Sequence, residues 1–401
     1  GTQVLLDFDL FQLFGIANAP SDADWEMSLD YLSSRGPAIG TTFDYSLPSL
    51  FGVNGPVDGY FDTWLIHDDG LDNLGSGRRD LPPETRFRGR SLLRHRHYLN
   101  SNFELIAELG WISDRNFLDQ YFEGEWDRDV NESTALRLRK YHNSHLCDLT
   151  GQFRINDFFT TTEQLPMLQH YMIGGAILGD RFTWSAHNKV GYSRLRVGDL
   201  PENPSEAATY STTVPGQTNA SGIVTGTRQK LALPVQLGPV RFVPSVSGEA
   251  SYYGEATDGE PLTRLFGQAG VTATLPASRV DPTIQSSLLN IRGLAHKVEW
   301  QAEYFYADSN SSLDALPLYN PLNDHAQQQY RSRFLKSSPA TFGGVFGTRY
   351  DPMNYAFRQG IQSLVASPSD VIAADLQQFR LGLHQRLQTK RGLPGLEQIV
   401  D

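Results

Sequence analysis

The chain has one cysteine, Cys147, in 401 residues, so neither an intrachain disulfide nor a thiolate metal cluster can form. No apolar run approaches the roughly 18 residues of a membrane helix, so averaged hydropathy does not separate this chain from a soluble protein. A transmembrane β-barrel has the same low average, because its lipid-facing residues take only every second position. Basic excess is missing too: 34 Lys+Arg stand against 45 Asp+Glu, a net charge of −11 that argues against nucleic acid as the main partner. There is no Walker loop, no dinucleotide fingerprint after a strand, no zincin motif and no repeat of fixed period, so the sequence signals of nucleotide enzymes, metalloproteases, propellers and solenoids are lacking. The chain opens on Gly1 and stops at Asp401 just after a strand-like segment, and is expected to be a region of a longer precursor.

What the sequence does have is alternation by twos. Arg86, Arg88, Arg90, Arg94 and Arg96 share one parity, and Phe87, Leu93 and Leu99 the other. After Asn100–Asn102 the pattern resumes, with Phe103, Leu105, Ala107, Leu109 and Trp111 opposite Glu104 and Glu108. An arginine facing hydrocarbon costs about 2–4 kcal/mol near a bilayer midplane, so the charged side of this ladder is predicted to face a polar interior. Further on, Leu136 and Leu138 oppose Arg137 and Arg139, while Phe122, Gly124 and Trp126 oppose Glu123, Glu125 and Asp127 in what is predicted to be another strand.

Alternation of this kind recurs through 4–10, 24–31, 39–47, 57–66, 149–155, 182–190, 227–255, 262–276, 294–307 and 370–391. In 57–66 the face is ambiguous, because Asp58 and Asp62 share parity with Tyr60 and Trp64. The whole predicts one all-β domain over 1–401, an antiparallel transmembrane β-barrel with about 14–16 strands in this chain, incomplete for want of C-terminal strands. Loops are predicted at 67–84, 199–226 and 308–368, the last of which can fold into the lumen. Trp25, Trp111, Trp126, Trp184 and Trp300 fall on the apolar parity, as an aromatic girdle requires. A soluble β-sandwich alternates in the same way and stays as an alternative.

Several smaller constellations compete with bland readings. Ser91, His95 and His97 share the lipid-facing parity, but no orienting acid marks a catalytic set and no further ligands mark a metal pair. Asp68, Asp69, Gly70 and Asp72 lack the spacing of a calcium loop and are read as a solvated turn. Pro234, Pro239 and Pro244 cannot donate to a ladder and are read as structural punctuation. No metal site and no enzyme chemistry is expected.

The run Gly110-Trp111-Ile112-Ser113-Asp114-Arg115-Asn116-Phe117-Leu118, with Leu165-Pro166, Leu233-Pro234, Gly238-Pro239, Pro244 and His296-Lys297-Val298-Glu299, resembles the barrel domain of the LptD family of lipopolysaccharide-assembly, or organic-solvent-tolerance, outer-membrane proteins. Arg94-His95-Arg96-His97, Glu125-Trp126-Asp127 and the ending 385–392 resemble the divergent planctomycete-like type. The paired cysteines and the jellyroll of the best-known members have no counterpart in these residues.

The resemblance implies a bacterial outer-membrane protein that translocates lipopolysaccharide or a related glycolipid through its lumen and a lateral seam. It further implies a lipoprotein plug and periplasmic bridge proteins as partners, and no cofactor. On that reading Arg86, Arg88, Arg90, Arg94, Arg96, Arg137 and Arg139 line the lumen as candidates for lipid phosphates, whose oxygens suit the guanidinium fork. The alternative role of these arginines is to balance Glu104, Glu108, Glu123 and Glu125 across the wall. A general porin with the same arginines is the alternative function.

Overall fold

The computed structural model describes residues 1–74, 78–126, 133–202, 204, 207, 219–312, 315–317, 319, 375–391 and 398–400. These form one antiparallel sheet of 17 strands with three short helices. The first ten strands are β1 (Gln3–Asp9), β2 (Ala23–Leu32), β3 (Gly36–Leu50), β4 (Val53–His67), β5 (Phe87–Asn100), β6 (Phe103–Ile112), β7 (Thr134–His142), β8 (His145–Phe153), β9 (Thr161–Ile177) and β10 (Phe182–Arg196). Then come β11 (Ala220–Ala232), β12 (Val235–Leu237), β13 (Val240–Tyr253), β14 (Leu262–Ser286), β15 (Ile291–Ser309), β16 (Leu376–Arg391) and β17 (Gln398–Val400). Each strand pairs with its successor, apart from the three-residue β12, which β11 bypasses to pair with β13. No register joins β1 to β16 or β17 among the described residues. The architecture is the up-and-down wall of a transmembrane β-barrel.

The two ends of the sheet differ. At one end five connections are turns of two to four residues, at 51–52, 101–102, 143–144, 178–181 and 287–290, beside longer ones at 10–22 and 233–239. Phe51 and Gly52 both have positive φ, the backbone that matches strand twist in a two-residue hairpin. The other end carries the long connections 68–86, 113–133, 197–219 and 310–375. Long loops at one end and tight turns at the other are the barrel pattern.

Register converts the sequence alternation into two continuous faces. On the outer one Leu105, Leu138, Leu149, Leu168 and Val190 lie side by side across β6–β10. Further round, Trp300 sits between Leu275 and Leu383, and Tyr304 between Val271 and Phe379. These side chains remain uncovered: Leu138, Leu149, Leu168, Val190, Trp300 and Phe379 are all exposed. An apolar face this extensive has no stable place in water and belongs against hydrocarbon. On the inner face, Asp44, Tyr60, Arg94 and Glu108 form one row across β3–β6, and Asp58, Arg96, Ile106, Arg137 and Thr150 the next across β4–β8.

Three sequence expectations give way here. The segment 122–126 is not a strand, and 127 lies outside the described residues: Phe117–Tyr121 and Glu123–Trp126 are short helices, α2 and α3, following α1 (Leu10–Leu13). Phe117, Leu118, Tyr121 and Phe122 recur at i, i+1, i+4 and i+5, which is helical spacing, and the alternation after them is too short to outweigh it. Trp126 therefore packs in an interior cluster rather than an outer girdle. Strand β11 takes the last seven residues of the loop expected at 199–226, and β14 runs on to Ser286 rather than ending at 276. Most of 313–374 lies outside the described residues, but Leu316 is buried on the inner wall against Met167, Val224 and Tyr253.

Candidate functional site

The inner face at the long-loop end is covered by the chain itself. Residues 113–126 fold inward, and Phe117 and Leu118 pack with Ile66, Ala38 and Ile112 from the wall and Phe158 from the β8–β9 connection. This explains the ambiguous parity of 57–66: Phe61 and Leu65 take the outer face, while Trp64 and Ile66 point inward to meet the covering segment. Trp64 Nε1 donates to Asp30 Oδ2 at 2.8 Å. Asn156 seals the end of β6 where β7 has not yet begun, accepting from Ile112 N at 3.0 Å and donating to Gly110 O at 2.6 Å.

Arg88 holds this cover in place. Its side chain is fully buried, and all five of its N–H donors are used by three carboxylates. Nε and Nη2 fork onto Asp114 at 2.9 Å each, Nη1 and Nη2 fork onto Asp72 at 2.6 and 3.1 Å, and Nη1 also reaches Asp68 at 2.9 Å. Arg35, from the β2–β3 turn, adds contacts of 3.0 Å to both Asp68 and Asp72. The Tyr121 hydroxyl and the Gly70 amide donate to Asp68 at 2.7 and 2.9 Å. Two guanidinium groups and three carboxylates thus tie together the β2–β3 turn, the β4–β5 connection, β5 and the inward segment.

A second layer repeats the device. Arg90 bonds Asp62 of β4 and Glu125 of α3 at 2.6 Å each, with Phe122 stacked over its guanidinium at 3.5 Å. Arg115 reaches Glu84 at 3.2 Å and the Asp199 carbonyl at 3.1 Å.

Asp68 and Asp72 are therefore neither a solvated turn nor a calcium loop, since both side chains are fully buried against guanidinium groups. Burial alone would raise the pKa of Asp68. The hydrogen bonds from Tyr121, Gly70 and Arg88 and the charge of Arg35 outweigh it and hold the carboxyl below the usual carboxylate range. A depressed carboxylate stabilises the fold fully above its unfolded pKa and loses that contribution as pH falls through the folded one. Loosening of the inward segment is thus expected only below about pH 4, read as new pepsin cleavage within 113–126.

The predicted arginines divide among three settings. Arg88 and Arg90 belong to the buried ties just described, while Arg86 lies before β5 on the surface, 3.4 Å from Asp69. The others line an inner cleft of about 870 Å³ toward the tight-turn end, with Asp24, Asp44, Asp58 and Tyr60 across from Arg94, Arg96, Glu108, Arg137 and Arg139. Arg96 pairs with Glu104 at 2.5 Å, and Arg139 with Asp148 at 2.8 Å and Glu104 at 3.8 Å. Glu104 also accepts from the Tyr141 hydroxyl at 2.7 Å, and Glu108 from Ser133 at 3.0 Å. Among the described residues, Arg94 and Arg137 have no carboxylate partner, and Arg137 Nε is buried without a hydrogen bond. Glu123 stands exposed on α3, away from the strand face expected for it.

Ser91 and His95 turn to different partners, Thr63 at 2.9 Å and Tyr45 at 2.6 Å. The described residues contain no grouping of three or more His, Cys, Asp or Glu able to hold a metal ion. Sequence reasoning missed the roles of Arg35, Asp62, Asp114 and Tyr121, whose partners are brought to them only by the fold.

No family model and no curated protein matches the chain. Among solved structures it is similar to outer-membrane expressed OmpT of Vibrio cholerae, at 11% identity over 73% of this chain and 89% of that one, with a TM-score of 0.24. It is similar also to in-vitro folded OmpT of that organism, at 10% identity over 77% of this chain and 85% of that one, with a TM-score of 0.24. The loop L8 deletion mutant of OmpT gives 10% identity over 77% and 95%, with a TM-score of 0.23. The fold described above stands on the strand registers of this chain.

Proposed function

We propose that this chain is the wall of a bacterial outer-membrane barrel that moves an anionic glycolipid, lipopolysaccharide or a relative of it, along its inner face to the cell surface. The observation that carries this reading is the pair Arg94 and Arg137, whose guanidinium groups enter a polar cleft without a directly bonded carboxylate among the described residues, while the opposite face of the same strands is apolar. Guanidinium groups free of carboxylates are receptors for phosphate, and an outer face of leucine and tryptophan suits hydrocarbon. A lipoprotein plug and periplasmic bridge proteins belong to this proposal as partners.

A second reading, a diffusion channel, draws on the charge layout of the cleft. Asp24, Asp44 and Asp58 lie on β2–β4, and Arg94, Arg96, Arg137 and Arg139 on β5 and β7, so the field runs across the passage and orients any dipolar solute in it.

Depletion in the native host separates the two. The glycolipid reading expects less glycolipid at the cell surface, restored by the wild-type gene and not by an Arg94→Glu, Arg137→Glu allele expressed at the same level. Unchanged surface glycolipid with altered uptake of small solutes would reject the first reading in favour of the second.

A further inference from the structure

A pocket of about 770 Å³ opens at the long-loop end, between the start of β1, the β2–β3 turn and the inward segment, and shares no residue with the cleft around Arg94. Trp64, Tyr121 and Phe122 form its aromatic side. The rings of Tyr121, Phe122 and Phe117 meet Trp64 at interplanar angles of 54°, 86° and 42°, so none of them lies flat over the half-buried indole. Trp64 Nε1 is committed to Asp30, which fixes the ring against the wall.

The polar side is made of amides held at one atom each. Gln120 Oε1 accepts from the Asn73 backbone N–H at 2.8 Å, and Asn73 Nδ2 donates to the Leu71 carbonyl at 3.2 Å. That leaves Gln120 Nε2 and Asn73 Oδ1, one donor and one acceptor, without a protein partner among the described residues. A hydroxyl group both donates and accepts, so a ligand bearing hydroxyls answers this pair. No carboxylate lines the pocket, and its one charged side chain, Arg35, has Nη1 at 3.0 Å from both Asp68 and Asp72, so that charge is answered inside the buried node. An uncharged ligand with flat C–H faces for an aromatic ring and hydroxyls around its edge is a pyranose, and the volume is that of small-molecule sites.

We propose that this pocket binds a neutral oligosaccharide, with one pyranose stacked on Trp64 and its hydroxyls bonded by Gln120 and Asn73. The site is independent of the glycolipid reading, because neither Arg94 nor Arg137 contributes to it. Its sugar has two possible sources, a free saccharide and the outer chain of a surface glycolipid, which offer the same chemistry.

The test is calorimetric titration of the full chain, refolded in a detergent without a sugar head group, with maltotriose, cellotriose and mannotriose, and with mannitol and cyclohexanol as controls. At least one trisaccharide is expected to bind saturably and about tenfold or more tightly than mannitol, which has the hydroxyls without the ring, and than cyclohexanol, which has a ring with a single hydroxyl. Gln120→Met and Asn73→Ala should each weaken that trisaccharide about fivefold, the effect of one lost hydrogen bond, and Gln236→Met in β12 at the tight-turn end should have no effect. Folding of each variant is checked by its shift in electrophoretic mobility on heating. Competition with the delipidated glycan of the host's surface glycolipid assigns the source: displacement of the trisaccharide supports the site as a glycolipid contact, and no displacement supports it as a site for free saccharide. No saturable binding of any trisaccharide, binding of cyclohexanol as tight as that of the best trisaccharide, or indifference to both Gln120→Met and Asn73→Ala in folded protein would each overturn the proposal.

Discussion

Arg88→Met is expected to cost about 3–5 kcal/mol, because among the described residues it removes the one cation paired with Asp114 and one of the two paired with Asp68 and Asp72, at fully buried side chains. The loss is larger than that of a surface pair, which is worth at most about 1 kcal/mol. The measurement is urea unfolding of the protein refolded into lipid vesicles, compared with Arg86→Met, whose side chain is exposed beside Asp69 and whose loss should be within error. Since the penalty comes from stranded carboxylates rather than from the missing arginine itself, adding Asp72→Asn and Asp114→Asn to Arg88→Met should recover part of it. Release of the inward segment should also speed the swelling of vesicles in small sugars. An Arg88→Met protein as stable as wild type would mean that residues 113–126 are not held by this node.

Leu168→Arg is the second large effect. Leu168 lies midway along the 17 residues of β9, between Leu149 and Val190 on the outer face, so an arginine there is placed near the depth at which charge costs about 2–4 kcal/mol. Gln169→Arg, one residue on, turns to the inner face beside Asp148 and Lys189 and should cost less than about 1 kcal/mol. Equal costs at the two positions would remove the distinction between the faces. The comparison needs only the two variants and one unfolding assay.

Much of the fold was legible because alternation is a local property: the parity that puts Leu105 and Leu138 out and Arg96 and Arg137 in is set by the period of the strand. The strands β2 to β8 were visible for that reason. The inward segment was hidden because what defines it is not local. Arg88 looks like one rung of a polar ladder in sequence, and only the partners brought to it from Asp68, Asp72 and Asp114 make it a tie rather than a lining residue. The run at 112–118, which carried the family resemblance, turns out to be the hinge of that segment, with Asp114, Arg115, Asn116, Phe117 and Leu118 all buried. Nothing in the spacing of Asp68 and Asp72 distinguishes a buried carboxylate from a solvated one.

The central division of the wall into a lipid face and a water face is tested most directly by cysteine labelling in a Cys147→Ser background. Single cysteines would be placed in β5–β9 of the protein reconstituted in vesicles and exposed to a charged, membrane-impermeant maleimide. Positions 94, 108 and 137 are expected to react, and positions 105, 138, 149 and 168 to stay protected until detergent is added. Reaction without regard to parity, or protection of the arginine side and labelling of the leucine side, would contradict a membrane-spanning wall with a charged interior.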